Sequence, residues 1–236
     1  MILAIVQARM SSTRLPGKVL KDVLGKPMIL RQLERIERSK LIDRVIVATS
    51  EESSDDILAE TLTSAGVEVF RGSLDDVLSR FQALRKKYNP EHIVRLTADC
   101  PLTDPEVIDG IIAQHRESGA DYTSNVIART FPRGLDAEVF TVAALDRLSE
   151  LDLSEPEHEH VTLGFYKRPD EFSLTNFAQH PENFSHLRWT VDNPEDYEFT
   201  KWVYERLYFL KPEFTSADIL KLLNDSPERI LIEDGH

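Results

Sequence analysis

The stretch "MILAIVQARMSSTRLPGK" (1–18) decides the fold, because it joins a continuous apolar run to a polar, cationic loop. The run "ILAIVQA" (2–8) is typical of a short strand buried on both faces, as in a parallel sheet. The segment 7–18 then carries three cations, three hydroxyls, a Pro-Gly pair and no acid. Such a segment is too polar for a core. It predicts either an anion-binding loop or a surface loop held by salt bridges.

The same strand-then-polar rhythm repeats along the first half of the chain. Apolar strands alternate with amphipathic helices, and this order predicts an α/β fold with a doubly wound, mainly parallel sheet. The predicted strands cover 2–8, 43–49, 67–72 and 92–98, and the predicted helices cover 27–39, 53–66, 74–88 and 104–118.

The rhythm changes after about residue 120, where short strands mix with helices. This pattern predicts a small, partly antiparallel insertion in the α/β core. No repeat or linker interrupts the sequence, so we expect a single domain over 1–236. The predicted strands are 120–125, 137–142, 172–178 and 187–191, and the predicted helices lie near 143–150, 157–167, 194–210 and 215–224.

Composition excludes several classes of protein. The 236 residues carry a net charge of −13, which argues against a general nucleic-acid binder. No apolar run approaches the roughly 20 residues that span a bilayer, and the apolar start lacks the features of a signal peptide. The single cysteine allows no internal disulfide. We therefore expect a cytoplasmic protein without nucleic-acid or membrane partners.

The charge is unevenly distributed. Residues 1–40 hold nine Lys or Arg and three acids, a net charge of +6 on an otherwise acidic chain. A local cationic patch of this kind suits a small polyanion better than a long one. The cations between Arg31 and Lys40 have a simpler interpretation as the solvated face of a helix. That interpretation does not cover Arg9, Arg14 and Lys18, which precede the helix.

The cationic loop lies where an α/β protein binds its ligands. In an open parallel sheet, ligands sit beyond the carboxyl ends of the strands, and the loop leaves the first strand there. Its hydroxyls, backbone N–H groups and cations can all contact phosphate oxygens. Neither G-x-x-x-x-G-K-[ST] nor G-x-G-x-x-G occurs, so a P-loop kinase and a dinucleotide dehydrogenase are disfavoured.

Two aspartates far apart in sequence each follow a predicted strand. Asp99 follows 92–98 and Asp192 follows 187–191. A nucleoside triphosphate arrives with Mg²⁺, which takes one or two protein carboxylates besides water and phosphate oxygens. The residues alone leave other roles open, because Asp99 can belong to a turn and Asp192 can cap the following helix.

The motifs resemble a known family. "ARMSSTRLPGKVLKDVLGKPMI" (8–29) is similar to the N-terminal signature of the CMP-sugar-acid synthetases, the acylneuraminate and 3-deoxy-manno-octulosonate cytidylyltransferases. "RGSLDDVLSRF" (71–81), "RGLDAEVF" (133–140) and "EHVT" (159–162) resemble a spore-coat polysaccharide cytidylyltransferase-like branch more closely still. The matches extend from residue 2 to about residue 200.

The resemblance implies a nucleotide-diphospho-sugar transferase fold and transfer of CMP from CTP to an acidic sugar, with release of pyrophosphate. By position, the residues expected to bind the nucleotide are Arg9, Ser12, Arg14, Lys18 and Arg71, the last near the cytosine. Read from the sequence alone, Arg71 is equally well a surface arginine at a strand end.

The resemblance also implies a metal site. "D-x-P-L" and "V-D-x-P-E-D" look like metal-ligand motifs of the octulosonate and neuraminate enzymes, and they assign Mg²⁺ to Asp99 and Asp192. With Asp192, the cations Arg14 and Lys18 are the expected catalytic residues. Cys100 stands where the octulosonate enzymes usually have a glutamate, and we interpret it as a packing residue.

The acceptor-side candidates form two groups. The resemblance places Glu159 and His160 near the acceptor pocket, and Arg133, Asp136 and Glu138 form the second group. The second group has a structural alternative, a glycine turn leading into a strand. A homodimer is expected from the resemblance. Other possible functions are a sugar-1-phosphate nucleotidyltransferase, a glycosyltransferase of surface-polysaccharide synthesis, and a non-catalytic nucleotide or sugar binder.

Overall fold

The computed structural model describes residues 1–178 and 182–233. Its strands are β1 (Ile2–Gln7), β2 (Asp22–Val23), β3 (Lys26–Pro27), β4 (Arg44–Ser50), β5 (Val69–Gly72), β6 (His92–Thr97), β7 (Tyr122–Ser124), β8 (Glu138–Thr141) and β9 (Leu174–Asn176). Its α-helices are α1 (Met28–Ile36), α2 (Asp56–Ser64), α3 (Val77–Tyr88), α4 (Pro105–Ser118), α5 (Val142–Ser149), α6 (Glu155–Glu159), α7 (Leu163–Tyr166), α8 (Pro194–Leu207) and α9 (Ser216–Asn224).

Seven strands form one sheet in the order β5-β4-β1-β6-β8-β7-β9. β1 pairs in parallel with β4 and β6, and β4 pairs in parallel with β5. β8 runs antiparallel to both of its neighbours, β6 and β7, whereas β9 is parallel to β7. The predicted mainly parallel α/β sheet with a partly antiparallel section is therefore confirmed, and that section extends the same sheet.

Both faces of the sheet are covered, as a doubly wound fold requires. Alternate residues of β1 point to opposite faces. Ile2, Ala4 and Val6 pack into the core under α1, α4, α8 and α9, and Leu3 and Ile5 pack into the core under α3 and α5. All five are fully buried, so the first strand anchors both cores and fixes where its following loop emerges.

Two predicted elements differ from the structure. The segment 187–191 is not a strand, because it makes only two isolated bridges, Arg133 to Arg188 and Leu187 to Ile232. The helix predicted over 157–167 is two short helices, α6 and α7, separated at Val161, whose φ of 35° is incompatible with a continuing right-handed helix.

A small hairpin between β2 and β3 is an element that the sequence patterns do not predict. Its two-residue connection consists of Leu24 and Gly25, both with positive φ, as in type I′ hairpin turns. Within residues 1–178 and 182–233, no helix combines the length and the apolar character needed to cross a membrane.

Candidate active site

The loop after β1 is fastened at its start by a buried acid. Asp55 accepts hydrogen bonds from the backbone N–H of Met10 (2.7 Å), the Thr49 hydroxyl (3.0 Å) and the backbone N–H of Ser50 (3.2 Å). Burial alone would raise the pKa of Asp55, but the hydrogen bond from the Ser50 hydroxyl and those from Met10 and Thr49 lower it. An ionised carboxylate that lies beyond β4 and is hydrogen-bonded to its last two residues, Thr49 and Ser50, therefore holds the loop against the sheet.

The loop then turns back on itself and directs a lysine inward. The N–H of Gly17 donates to the carbonyl of Met10 at 3.2 Å, and the N–H of Leu15 donates to the Ser12 hydroxyl at 3.3 Å. Gly17 has a φ of 66°, a left-handed conformation that glycine adopts without strain. A single 3₁₀ turn, Lys18–Leu20, follows and buries Lys18.

The Lys18 ammonium joins the two predicted aspartates. Its Nζ lies 3.2 Å from Oδ2 of Asp99 and 3.0 Å from Oδ1 of Asp192, and it donates to the carbonyl of Val191 at 2.7 Å. All three donor hydrogens of the ammonium thus have an acceptor. The basic loop and two acids more than 80 residues further along the chain converge on one point.

Backbone contacts explain why the aspartates meet without a strand at 187–191. The N–H of Val191 donates to the carbonyl of Asp99 at 2.8 Å, and the Thr190 hydroxyl lies 3.3 Å from the same oxygen. Thr97 donates its hydroxyl to Oδ1 of Asp99 at 2.6 Å. Cys100 is buried beside them, and burial together with the charge of Asp99 raises the pKa of its thiol, which agrees with a packing role.

Asp192 is held from both sides. Arg188 donates to its Oδ2 at 3.0 Å, while Arg14 lies 3.1 Å from Oδ1, the oxygen that also contacts Lys18. Burial alone would raise the pKa of Asp192, but the charges of Lys18 and Arg14 and the hydrogen bonds from Lys18 and Arg188 lower it. The carboxylate is therefore ionised and a weak base.

The helix after Asp192 is capped by other residues. Asn193 and Asp196 form a capping box at the start of α8, and Asp196 accepts the N–H groups of Asp192 and Asn193 at 2.8 Å each. Asp192 is thus free of the capping role that the sequence alone left open. One of its oxygens is fixed by Arg188, and the other faces the basic loop.

A cleft of about 400 Å³ opens above this cluster at the carboxyl edge of the sheet; we call it the first cleft. Its lining has five cationic side chains and three acidic ones. The predicted site residues that line it are Arg9, Ser12, Arg14, Lys18, Asp99, Glu159, His160 and Asp192.

A second cavity of about 560 Å³ adjoins the first cleft, and we call it the second cavity. Arg95, Thr97 and His160 line both spaces. The second cavity contains the predicted acceptor-side residues Asp136 and Glu138. The two spaces therefore meet at the end of β6.

Two predicted site residues lie outside both spaces. Arg71 donates to the carbonyls of Ser50 (2.8 Å) and Glu52 (3.0 Å) and pairs with Asp56 at 2.7 Å. Arg133 lies beside Glu233, with Nε and Oε1 3.0 Å apart. The structure does not bring either guanidinium to the cleft lining, so a ligand role for each stays a prediction.

Comparison with known proteins identifies the family. A family model described as cytidylyltransferase matches residues 3–220. The chain belongs to the cytidylyltransferase family. The spore coat polysaccharide biosynthesis protein SpsF of Bacillus subtilis (strain 168) is 36% identical over 234 residues, which cover 96% of this chain and 95% of SpsF.

Solved structures agree with the sequence comparison. A cytidylyltransferase from Leptospira borgpetersenii superposes with a TM-score of 0.91 at 34% identity, covering 100% of this chain and 98% of that one. A CMP:2-keto-3-deoxy-manno-octonic acid synthetase in complex with CTP gives a TM-score of 0.66 at 18% identity, covering 87% and 98%. The predicted nucleotidyltransferase fold is thereby confirmed.

Three arginines that line the first cleft or the second cavity of the cytidylyltransferase were not predicted from the sequence. Arg80 is buried and donates to the carbonyls of Ser73 (2.6 Å) and Leu74 (3.0 Å), which fixes a wall of the first cleft. Arg95 projects from β6 between the two spaces, and Arg129 lines the second cavity. A single arginine on a helix or a strand belongs to no recognisable motif. The position of Arg95 near the carboxyl end of a predicted strand is the feature that could have indicated a site residue.

The donor set at Asp99 and Asp192 fits a hard divalent cation bound together with a substrate. Among residues 1–178 and 182–233, no cluster of three or more His, Cys, Asp or Glu side chains could enclose a metal on its own. The position shared by the two carboxylates is held by Nζ of Lys18, and two carboxylates are a protein ligand set that Mg²⁺ accepts when water and phosphate oxygens complete its shell.

Proposed function

We propose that this cytidylyltransferase transfers CMP from CTP to an acidic sugar and releases pyrophosphate, as an activation step in polysaccharide synthesis. The observation that supports this most strongly is the contact of Lys18 with both Asp99 and Asp192 at the floor of the first cleft. That arrangement combines phosphate-binding cations with metal-binding carboxylates, the two requirements of nucleotidyl transfer.

The names of the relatives support the choice of substrates. SpsF is named for spore coat polysaccharide biosynthesis, and the octonic acid synthetase was solved with CTP. The excess of cations in the first cleft suits a triphosphate, and the loop from Arg9 to Lys18 would surround it.

The proposed reaction is a displacement at the α-phosphorus. A sugar hydroxyl oxygen bonds to the α-phosphorus, the bond to the oxygen that bridges to the β-phosphate breaks, and the hydroxyl proton passes to solvent or a base. Negative charge grows on the departing pyrophosphate, where Arg14 and Lys18 would stabilise it. The lowered pKa of Asp192 makes that residue an electrostatic group rather than the base.

Asp99 and Asp192 would hold Mg²⁺ with the triphosphate. When bound, the ion would neutralise phosphate charge and orient the α-phosphate. Lys18 occupies the space between the two carboxylates, so it would also limit their mutual repulsion before substrate binds.

The acceptor would lie across the boundary of the first cleft and the second cavity. Glu159 and His160 line the first cleft, and His160, Asp136 and Glu138 line the second cavity. This position would place the acceptor beside the α-phosphate side of the nucleotide. We also propose that the enzyme is a cytoplasmic homodimer. Sedimentation of the purified protein measures its oligomeric state and so tests the dimer.

Pyrophosphate release tests the reaction directly. The protein with Mg²⁺ is incubated with CTP, UTP, GTP or ATP, each with a set of acidic sugars and, separately, with a set of sugar 1-phosphates. Pyrophosphate release that occurs with CTP and an acidic sugar, and with no other combination, supports the proposal. Release only with a sugar 1-phosphate would identify a sugar-1-phosphate nucleotidyltransferase instead. Calorimetric CTP binding without turnover on any sugar would indicate a non-catalytic binder.

A further inference from the structure

The first cleft and the second cavity differ in charge. Five cationic and three acidic side chains line the first cleft, whereas two of each line the second cavity. The first cleft, whose excess of cations suits a polyanion, therefore adjoins a second cavity whose lining has equal numbers of cationic and acidic side chains.

The charges in the second cavity are paired with one another. Arg129 binds Asp136 through both guanidinium Nη atoms, one of them 2.9 Å from Oδ2. Arg95 hydrogen-bonds Glu138, which also accepts the Tyr122 hydroxyl at 2.5 Å. A carboxylate or phosphate entering this cavity would find each arginine already neutralised and two carboxylates nearby.

The remaining lining suits a sugar. Val126, Ile127 and Tyr166 supply an apolar wall, and Ile127 and Tyr166 are each 43% exposed. Thr162 adds a hydroxyl 3.4 Å from Nη1 of Arg95. A cavity lined by both carboxylates and apolar side chains can accept hydrogen bonds from hydroxyls and also pack against the C–H groups of a ring or chain.

We propose that the second cavity binds the uncharged, hydroxylated end of the acceptor, and that its charge balance excludes acceptors with a phosphate or carboxylate at that end. This inference rests on the proposed function, and it adds a substrate class to it. The acceptor's own carboxylate then stays on the side of the first cleft, where cations are in excess.

Matched probes test the exclusion. Saturation-transfer NMR and calorimetry measure binding of 3-deoxy-manno-octulosonate and N-acetylneuraminate, each compared with its terminal phosphate ester, with and without CTP. We expect each parent sugar to bind at least ~10-fold more tightly than its ester, because like charges in a partly buried site repel. Esters that bind within twofold of the parents, or no binding by either parent, would overturn the proposal.

Substitutions in the second cavity test whether its charged residues cause the difference in affinity between parent sugar and phosphate ester. Asp136→Asn gives the lining an excess positive charge and should narrow the ratio between parent and ester. Arg129→Gln gives it an excess negative charge and should widen the ratio, which provides a second test if the first variant folds poorly. The matched control is Asp146→Asn, from the partly exposed Arg85–Asp146 pair that lines neither space. Unchanged ratios in both cavity variants would contradict the inference.

The two proposals can fail separately. Calorimetry with CTP alone reports on the first cleft, and pyrophosphate release reports on the reaction. Loss of CTP binding or of turnover with every sugar would reject the proposed function. Normal CTP turnover together with ester binding equal to that of the parents would reject only the assignment of the second cavity.

Discussion

The first cleft and the second cavity lie side by side on one sheet edge, yet they are built differently. The first cleft is formed where β1 and β6 end, and its cations outnumber its acids. The second cavity uses the start of β8, whose Glu138 is paired with Arg95 of β6. Two adjacent spaces on one sheet edge therefore differ in the charge balance of their lining.

Strand direction accounts for this difference. Parallel strands present only their carboxyl ends to the ligand edge, and loops with cations follow them here. Because β8 is reversed, its first residue, Glu138, reaches the same edge. Glu138, at the beginning of its strand, therefore lies at the sheet edge where the parallel strands have their carboxyl ends.

Removing the shared cation should have the largest effect on the first cleft. We expect Lys18→Met to lower kcat/KM by about 10²–10³-fold, because the ammonium is lost from both the carboxylates and the developing phosphate charge. Steady-state pyrophosphate release measures it. Lys21→Met is the control, since Lys21 lies over the Tyr197 ring and outside the cleft lining. Near-normal turnover in Lys18→Met would contradict the comparison.

A second substitution tests the proposed metal-binding role of Asp192 in the first cleft. Asp192→Asn should reduce kcat by about 10²-fold, since the amide keeps the shape but loses the charge. Kinetics at several Mg²⁺ concentrations separate weaker metal binding from slower chemistry. Glu195→Gln, an exposed acid in the first turn of α8, should stay close to the unaltered enzyme.

The residue behind Asp192 should matter less than Asp192 itself. Arg188 bridges Asp192, Asp196 and Glu233, and lysine in its place keeps a charge without the planar fork. We expect Arg188→Lys to lower activity about 10-fold, as for outer-shell partners of metal ligands. Thermal unfolding of the variant shows whether the loss of activity arises from a less stable protein. Glu233→Gln provides the control, because it removes a partner of Arg188 without touching Asp192.

Salt should distinguish the two spaces directly. Raising ionic strength should weaken CTP binding by a few-fold, because the first cleft attracts a polyanion through partly exposed cations. Binding of a sugar probe, which carries one carboxylate and places an uncharged end in the second cavity, should change far less than binding of the triphosphate. Calorimetry with CTP and with each sugar probe at low and high salt provides the measurement. Equal salt dependence for both ligands would remove the distinction.

The smallest effect is expected at Arg71. Its guanidinium already binds the Ser50 and Glu52 carbonyls and Asp56, so Arg71→Ala should change the KM for CTP by less than about twofold. A large rise in KM with unchanged kcat would instead support the nucleotide role that the resemblance suggested.

Much of the fold was predictable because its strands are continuous apolar runs followed by polar loops. The positions of Asp99 and Lys18 followed from this pattern, since parallel strands end at one edge. The segment 187–191 has the composition of a strand but lacks a paired neighbour along its length, and sequence patterns do not report pairing. Asp192 still reached the predicted place, because Val191 bonds to Asp99.

The charged pairs were harder to predict. Asp55 lies within the helix predicted over 53–66, and nothing in that pattern indicates that its carboxylate holds the loop at Met10. Arg80 and Arg95 are single cations on a helix and a strand, and only the packed structure shows that their side chains reach the first cleft. Contacts between residues distant in sequence, such as Arg95 with Glu138, have no local signature.

The connection between β7 and β8 supplies Val126, Ile127, Arg129 and Asp136 to the second cavity and no residue to the first cleft. Under the proposed assignment of the two spaces, substitutions in this one segment would change sugar preference and leave the lining of the first cleft unaltered. Within such a family, new acceptors could evolve by drift in a short stretch of chain, and grafting that stretch between relatives is the corresponding route for engineering.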